Sequence, residues 1–236
     1  MKSPIEDVEW DSDFFGYKVG KIVVTVPGEF DIEQLLIDNK SYRLVYIVAD
    51  MALNLPNIPA KLVDRKVTLH QRINETVLDF QADLQIETFD LKKDSYQQLE
   101  NLALLSGTFS RFKTDENFTN NEYERLYTQW LRNSVYKQTA FDILVAKTAD
   151  KITGFVTLEK KSATLSAIGL VAVASHVQGS GIGLALIQEA KKRSLAHSFS
   201  EIQVVTQADN SAAFHLYRKA DFTPIDMKYI YHYWNV

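Results

Sequence analysis

The run Leu165 to Val173, LSAIGLVAV, is nearly all apolar or small, and it runs into the turn Gln178-Gly179-Ser180-Gly181-Ile182-Gly183. A short apolar run of this kind reads as a strand buried on both faces. A helix is expected from about Ile182. Glycines in such a turn let backbone N–H groups converge and approach a ligand closely. The helix behind them adds its unpaired first-turn donors and the positive end of its dipole. Strand, turn and helix together suit a pyrophosphate.

Two nucleotide-binding patterns fail on the spacing. A dinucleotide fold needs G-x-G-x-x-G or G-x-G-x-x-A. Counting from Gly179 the third position is Leu184, and from Gly181 it is Leu186. Either side chain would spoil close packing of helix on strand. The Gly-Lys-Ser or Gly-Lys-Thr of a P-loop is absent. What does fit is Q-x-x-G-x-G, written by Gln178, Gly181 and Gly183.

The chain has 236 residues, room for one large domain or two small ones. With 46% hydrophobic residues it can build a real core. It has no cysteine, which excludes disulfides, thiolate metal sites and a covalent cysteine intermediate. The five histidines show no metal-ligand spacing, so no metal is expected. No apolar run approaches the ~20 residues of a membrane span, and MKSPIEDVEW lacks the apolar centre of a signal peptide. A cytoplasmic protein with no membrane partner is the expectation. The net charge of −4 argues against general nucleic-acid binding, so an anionic ligand must be drawn in by local positive groups.

Residues 1–80 read as a small α/β unit. Trp10 to Gly16 is expected to be an aromatic turn, and Val19–Val26, Tyr42–Val48 and Val63–Leu69 read as strands. Val63, Arg65, Val67 and Leu69 share one face of the third strand. Asp31 can cap a short helix that carries Leu35 and Leu36. No motif that carries chemistry stands out in this unit, and residues 71–83 are expected to link it to the next. From 81 to 236 a second domain begins with a strand at Gln85–Phe89. Capping boxes at Asp94/Gln97 and Thr119/Glu122 open two helices, with Thr108–Lys113 as a loop between them. Strands at Phe141–Ala146 and Ile152–Lys160 follow, then the apolar strand, the glycine turn and its helix. Glu201–Gln207, the helix Asn210–Ala220 and the strand Lys228–Trp234 close the chain. A degenerate duplication of one half by the other is a minority reading.

Asn210-Ser-Ala-Ala-Phe-His-Leu-Tyr217-Arg-Lys-Ala-Asp-Phe222 follows the glycine turn. Together these segments resemble the GCN5-related N-acetyltransferase (GNAT) superfamily. The resemblance implies an α+β fold, a mostly antiparallel sheet splayed open at its middle and flanked by helices, with the smaller N-terminal unit beside it. It implies that acetyl-coenzyme A enters between the strands at 164–173 and 201–207. Backbone N–H groups of Gln178, Gly179, Ser180, Gly181, Ile182 and Gly183 would hold its pyrophosphate. Leu170, Val171 and Val173 would line the pantetheine arm through backbone atoms, and Asn210 would orient it. Tyr217 would protonate the leaving thiolate. By spacing alone Tyr217 reads as a core aromatic, and Asn210 as a helix N-cap. Asp221 stands where the family commonly has Gly, in a position that calls for a left-handed backbone, which Asp tolerates. Lys191-Lys192-Arg193 reads as a solvated helix face, His176 as a loop histidine. No general base is apparent; Glu159 is a weak candidate.

Trp10–Gly16, Leu104–Phe112, Phe118 and Glu124–Trp130 further resemble the branch of the superfamily that contains the dTDP-fucosamine (dTDP-4-amino-4,6-dideoxygalactose) N-acetyltransferases of bacterial surface-polysaccharide synthesis. That implies a nucleotide-linked amino sugar as acceptor, in a site bordered by Phe109, Ser110, Arg111 and Phe112. The planar fork of Arg111 suits a diphosphate, and a thymine can stack on Phe109 or Phe112; a structural salt bridge is the equal alternative for Arg111. With no cysteine, direct transfer in a ternary complex is the simpler mechanism. Another small or peptide amine as acceptor, and a non-catalytic acyl-coenzyme A module, are the competing readings. The oligomeric state, a homodimer included, is left open.

Overall fold

The structure, a computed structural model, describes residues 5–26, 28, 31–74 and 84–235. In chain order the elements are β1 (Glu6–Asp7), α1 (Glu9–Phe15), β2 (Val19–Val24), α2 (Ile32–Asp38), β3 (Leu44–Ala49), β4 (Lys61–Arg72), β5 (Ile86–Thr88), α3 (Tyr96–Ser106), α4 (Arg111–Thr114), α5 (Glu122–Val135), β6 (Ala140–Thr148), β7 (Lys151–Lys160), β8 (Leu165–Val173), α6 (Ile182–Ala196), β9 (Glu201–Gln207), α7 (Ser211–Lys219) and β10 (Thr223–Trp234). The strands form one sheet in the order β1-β2-β3-β10-β4-β9-β8-β7-β6-β5. Parallel pairing occurs at β2–β3 and β8–β9; the other neighbours are antiparallel. This is the expected α+β architecture with a mostly antiparallel sheet.

The sheet's two faces carry separate cores. Leu99, Leu126, Leu131, Phe155 and Trp234 pack on the side of α3, α4 and α5. Leu69, Leu158, Leu186, Ala190, Val204 and Phe222 pack on the side of α6 and α7. A third cluster, with Ile22, Leu36 and Ile47, sits under α2. β4 lies between β10 and β9, so a strand from the N-terminal unit stands at the centre of the sheet. Its strand parity changes at Val63: Leu62 opposes Tyr231 while Asp64 opposes Ile230. The bulge re-aims the residues before it; Asp64 keeps the face of Lys66 and is buried.

Several local expectations need correction. Trp10–Gly16 is not a turn but most of α1, ended by Gly16 at φ 79°. Ser95, not Asp94, caps α3, its hydroxyl accepting from Gln98 N–H. α5 starts from Asn121 in the left-handed region with no side-chain cap, and the Glu122 carboxylate accepts from Asn120 N–H at 2.7 Å. The loop expected at Thr108–Lys113 contains the start of α4, capped by Ser110. Lys191 is not solvated: it is 1% exposed and its ammonium donates to Ala220 O at 2.5 Å. Arg193 pairs with Asp142 at 2.8 Å. β4 takes the first residues of the expected linker at 71–83, and 75–83 lie outside the described residues. Asp221 does adopt φ 65°.

Candidate active site

β8 and β9 pair only where Leu165–Ile168 face Glu201–Val204. Beyond that point β9 keeps β4 as its partner, Thr206 facing Val67 and Gln207 facing Lys66. β8 stays with β7, Val171 facing Val156 and Val173 facing Gly154. The strands are thus pulled apart by their outer neighbours. The β7–β8 register slips between Val156 and Leu158, and there the Leu170 N–H donates to Thr157 Oγ1 at 2.8 Å. The Ala174 N–H also points at β7, donating to Thr153 O. Since backbone direction alternates along a strand, the N–H groups of Val171 and Val173 face the side that β9 has left.

The glycine turn closes the end of this gap. Gln178 Nε2 donates back to Val173 O at 3.0 Å. Gly179 and Gly181 have φ of 83° and 90°, and a Cβ at either would meet nothing within 4 Å. Glycine is therefore required by the backbone rather than by crowding. Helix α6 begins after Gly181 with no side-chain cap, so its first-turn N–H groups have no intrahelical acceptor. The turn from Ser175 to Gly183 carries no acidic side chain. Uncapped donors, a dipole end and free strand N–H groups along one gap fit an anionic diphosphate ester with an extended arm.

A cavity of about 970 Å³ opens between the splayed strands. It is lined by Leu170, Val171, Val173, Gln178, Gly179, Gly181, Ile182, Gly183, Asn210 and Tyr217, and equally by Phe109, Ser110, Arg111 and Phe112. Of the residues singled out in the sequence, Ser180 is the one not on its wall; its hydroxyl donates to Val177 O at 2.7 Å. Tyr217 is 3% exposed, and burial raises its phenol well above the ordinary value, so it stays protonated at neutral pH. Its ring packs against Phe222, with the centres 6.0 Å apart. Asn210 caps α7, Oδ1 accepting from Ala213 N–H at 3.1 Å, which leaves its Nδ2 donors for the cavity.

The opposite wall comes from α4 and β4. Ser110 is spent as the cap of α4, accepting from Phe112 N–H. Phe112 is 5% exposed and packs among Phe15, Phe118 and Trp130, while Phe109 is 45% exposed. Phe109 is therefore the aromatic with an open surface. Arg111 has no carboxylate within ion-pair distance among the described residues; its guanidinium lies 4.3 Å from the Phe112 ring centre and 5.1 Å from that of Tyr46. The structural salt bridge weighed for it is not formed. Its Nε is buried without a partner.

Three charged residues of the wall carried no sequence signal: Asp64, Lys66 and Lys161. Asp64 is 6% exposed, and its Oδ1 is buried without a partner. Loss of solvent raises its carboxyl, against the pull of Arg111 and Lys66, to about 6. Lys66 is lowered by burial and then by Arg111. Glu159 also reaches the cavity, but its carboxylate is paired with Lys161 at 2.7 Å.

Residues 103–222 match the acetyltransferase (GNAT) family. The chain is 28% identical over 225 residues to dTDP-fucosamine acetyltransferase of Escherichia coli O6:H1, covering 92% of each sequence. In fold it is similar to a functionally unknown protein from Staphylococcus epidermidis, at 14% identity and TM-score 0.63 over 93% of this chain and 85% of that one. It is also similar to a GCN5-related N-acetyltransferase from Sphaerobacter thermophilus, at 14% identity and TM-score 0.58 over 91% and 73%. Among the described residues no helix is long and apolar enough to cross a membrane.

Proposed function

The chain belongs to the GNAT family of acetyltransferases, and on that premise we propose that it transfers acetyl from acetyl-coenzyme A to the amine of a dTDP-linked amino-deoxy sugar. Transfer is direct, within a ternary complex. The observation that carries the acceptor reading is the unpaired Arg111 guanidinium, in the same cavity as the uncapped glycine turn. End-to-end similarity to a dTDP-fucosamine acetyltransferase supports it.

Acetyl-coenzyme A supplies the activated acyl group. The N–H groups of the Gln178–Gly183 turn and of α6's first turn bind its diphosphate, and the Val171 and Val173 N–H groups orient its arm and the acetyl carbonyl. Donors fixed in advance around a developing oxyanion are a large source of rate. Tyr217, kept protonated by burial, gives its proton to the departing sulfur. Arg111 holds the acceptor's diphosphate through a fork that one lysine cannot match, and Phe109 offers its face to the thymine.

Thermal unfolding with acetyl-coenzyme A and dTDP, separately and together, tests this reading. A specific ligand at 100 times its Kd adds about 2.7 kcal/mol. Stabilisation by both is expected. A shift with the coenzyme alone would remove the nucleotide sugar and leave a transferase for another amine. No shift and no calorimetric binding of the coenzyme would remove the site.

A further inference from the structure

We infer that Asp64 is the base that takes the proton from the acceptor's ammonium group, an inference that rests on the transferase reading above. Alternation along the central strand β4 puts Asp64 on the same face as Lys66, two residues on, and both line the cavity. It makes no hydrogen bond or ion pair with any described residue, and Oδ1 is out of reach of solvent. Burying a carboxylate without a partner is costly, so a position like this in a cavity wall is explained by a polar ligand group that arrives and completes it. The cavity's other acid, Glu159, is already held by Lys161 at 2.7 Å.

The electrostatics fit a base. Arg111 from α4 and Lys66 on the same strand favour the ionised form, while burial and Asp209, beyond the end of β9, favour the protonated one. Tyr127 of α5 is the further titratable group that senses Asp64. The balance places the group at about 6, close enough to neutrality to accept a proton and release it again.

In the step, the acceptor R–NH3+ loses one proton to the Asp64 carboxylate and becomes R–NH2. Its lone pair forms the N–C bond to the acetyl carbon, the C–S bond breaks, and sulfur leaves with the electron pair. The Tyr217 hydroxyl protonates sulfur, and the surplus proton on nitrogen passes through solvent to the phenolate. Asp64 then returns its proton to water. The sum is ammonium plus thioester giving amide, thiol and one proton.

The test compares wild type with D64N and D64E, using dTDP-4-amino-4,6-dideoxygalactose as acceptor and calorimetry of acetyl-coenzyme A as the control for folding. In the wild type kcat/KM should rise with pH through about 6. D64N should bind the coenzyme unchanged and lose at least about 10²-fold in kcat/KM at neutral pH. Its remaining rate should rise instead through the free amine's own higher pKa, a change that a merely structural role would not produce. D64E, which keeps a carboxylate, should retain an acidic limb; it carries the test if D64N fails to fold. An active wild type whose rate and pH profile survive D64N, or a D64E variant without the limb, overturns the inference and leaves the transferase intact. A wild type that binds the coenzyme but acetylates no dTDP amino sugar removes the acceptor reading, and this inference with it.

Discussion

Leu170 N–H donates to Thr157 Oγ1 at 2.8 Å, across the point where β7 and β8 slip register. Thr157 is fully buried, so this bond has no water to replace it. It fixes which N–H groups of β8 turn toward β7 and, by alternation, which turn toward the cavity. Thr157→Val keeps the volume and removes the acceptor, leaving a buried N–H unpaired. The expected cost is about 1–3 kcal/mol of stability, measured by urea unfolding. Acetyl-coenzyme A should also bind more weakly by calorimetry, since Val171 and Val173 lose their fixed direction.

Tyr217→Phe isolates the proposed acid. The ring stays against Phe222, whose centre is 6.0 Å away, so the fold should be kept. Only the proton is lost, and general acid catalysis of this kind contributes about 10²–10⁴ in rate. Steady-state kinetics should show kcat falling within that range at nearly unchanged coenzyme affinity. Because burial raises the phenol, the wild-type rate should show no loss from Tyr217 ionisation up to about pH 10, the ordinary tyrosine value.

The two sides of the cavity were not equally legible in the sequence. β8 and β9 fall at Leu165–Val173 and Glu201–Gln207, as read from the sequence, because each is a short apolar or β-branched run bounded by polar or turn residues. The turn was legible because Gly179 and Gly181 stand in backbone regions that few other residues occupy. Asp64 was not legible. Alternation of Val63, Arg65, Val67 and Leu69 puts it with Lys66 on the opposite face, which reads as outer and polar; only the packing of α4, with Arg111, over that face makes it a cavity wall. Its burial depends on β9, β10 and α4, none of them near it in the chain. α4 was missed for a different reason: four residues between a serine cap and Asp115 are too few to show a period.

Arg111→Ala should separate the two ligands. The guanidinium makes no ion pair among the described residues, but its charge holds the Asp64 carboxyl down, so the readout is ligand binding rather than rate. Hydrogen bonds to charged groups contribute about 1.5–3 kcal/mol, roughly a 10- to 150-fold loss in dTDP affinity. Acetyl-coenzyme A, held by the turn and β8, should bind as before. Calorimetry with each ligand reads the difference; equal weakening of both would mean that Arg111 shapes the cavity rather than binding the nucleotide.

His232 should make the fold sensitive to acid before its carboxylates are. It is 1% exposed, with Nδ1 at 2.6 Å from Asp115 Oδ2, which also accepts Trp234 Nε1–H at 2.8 Å. Burial lowers His232 to about 4, with Arg111 adding to the effect and Asp115 opposing it. Burial pushes the Asp115 carboxyl up, but hydrogen bonds from His232, Trp234 and Asn117 outweigh it and hold the group below the usual range. The pair is thus a neutral imidazole donating to a carboxylate. A histidine whose folded pKa lies below its unfolded value binds more protons when unfolded, so stability rises with pH across that interval. The contribution of His232 should therefore be full above about pH 6.5 and fall as the pH drops toward 4, by an amount on the order of 3 kcal/mol, while Asp64, raised to about 6, contributes with the opposite sign below that pH. Asp115 adds a loss of the same sign only below about pH 4, its unfolded value. Urea unfolding of D64N, which lacks the opposing carboxyl, at half-unit steps from pH 7.5 to 4 should show this decline, and adding H232Q, which cannot take up the proton, should flatten it between 6.5 and 4.5. A D64N curve that is already flat there would mean that His232 is charged inside the fold.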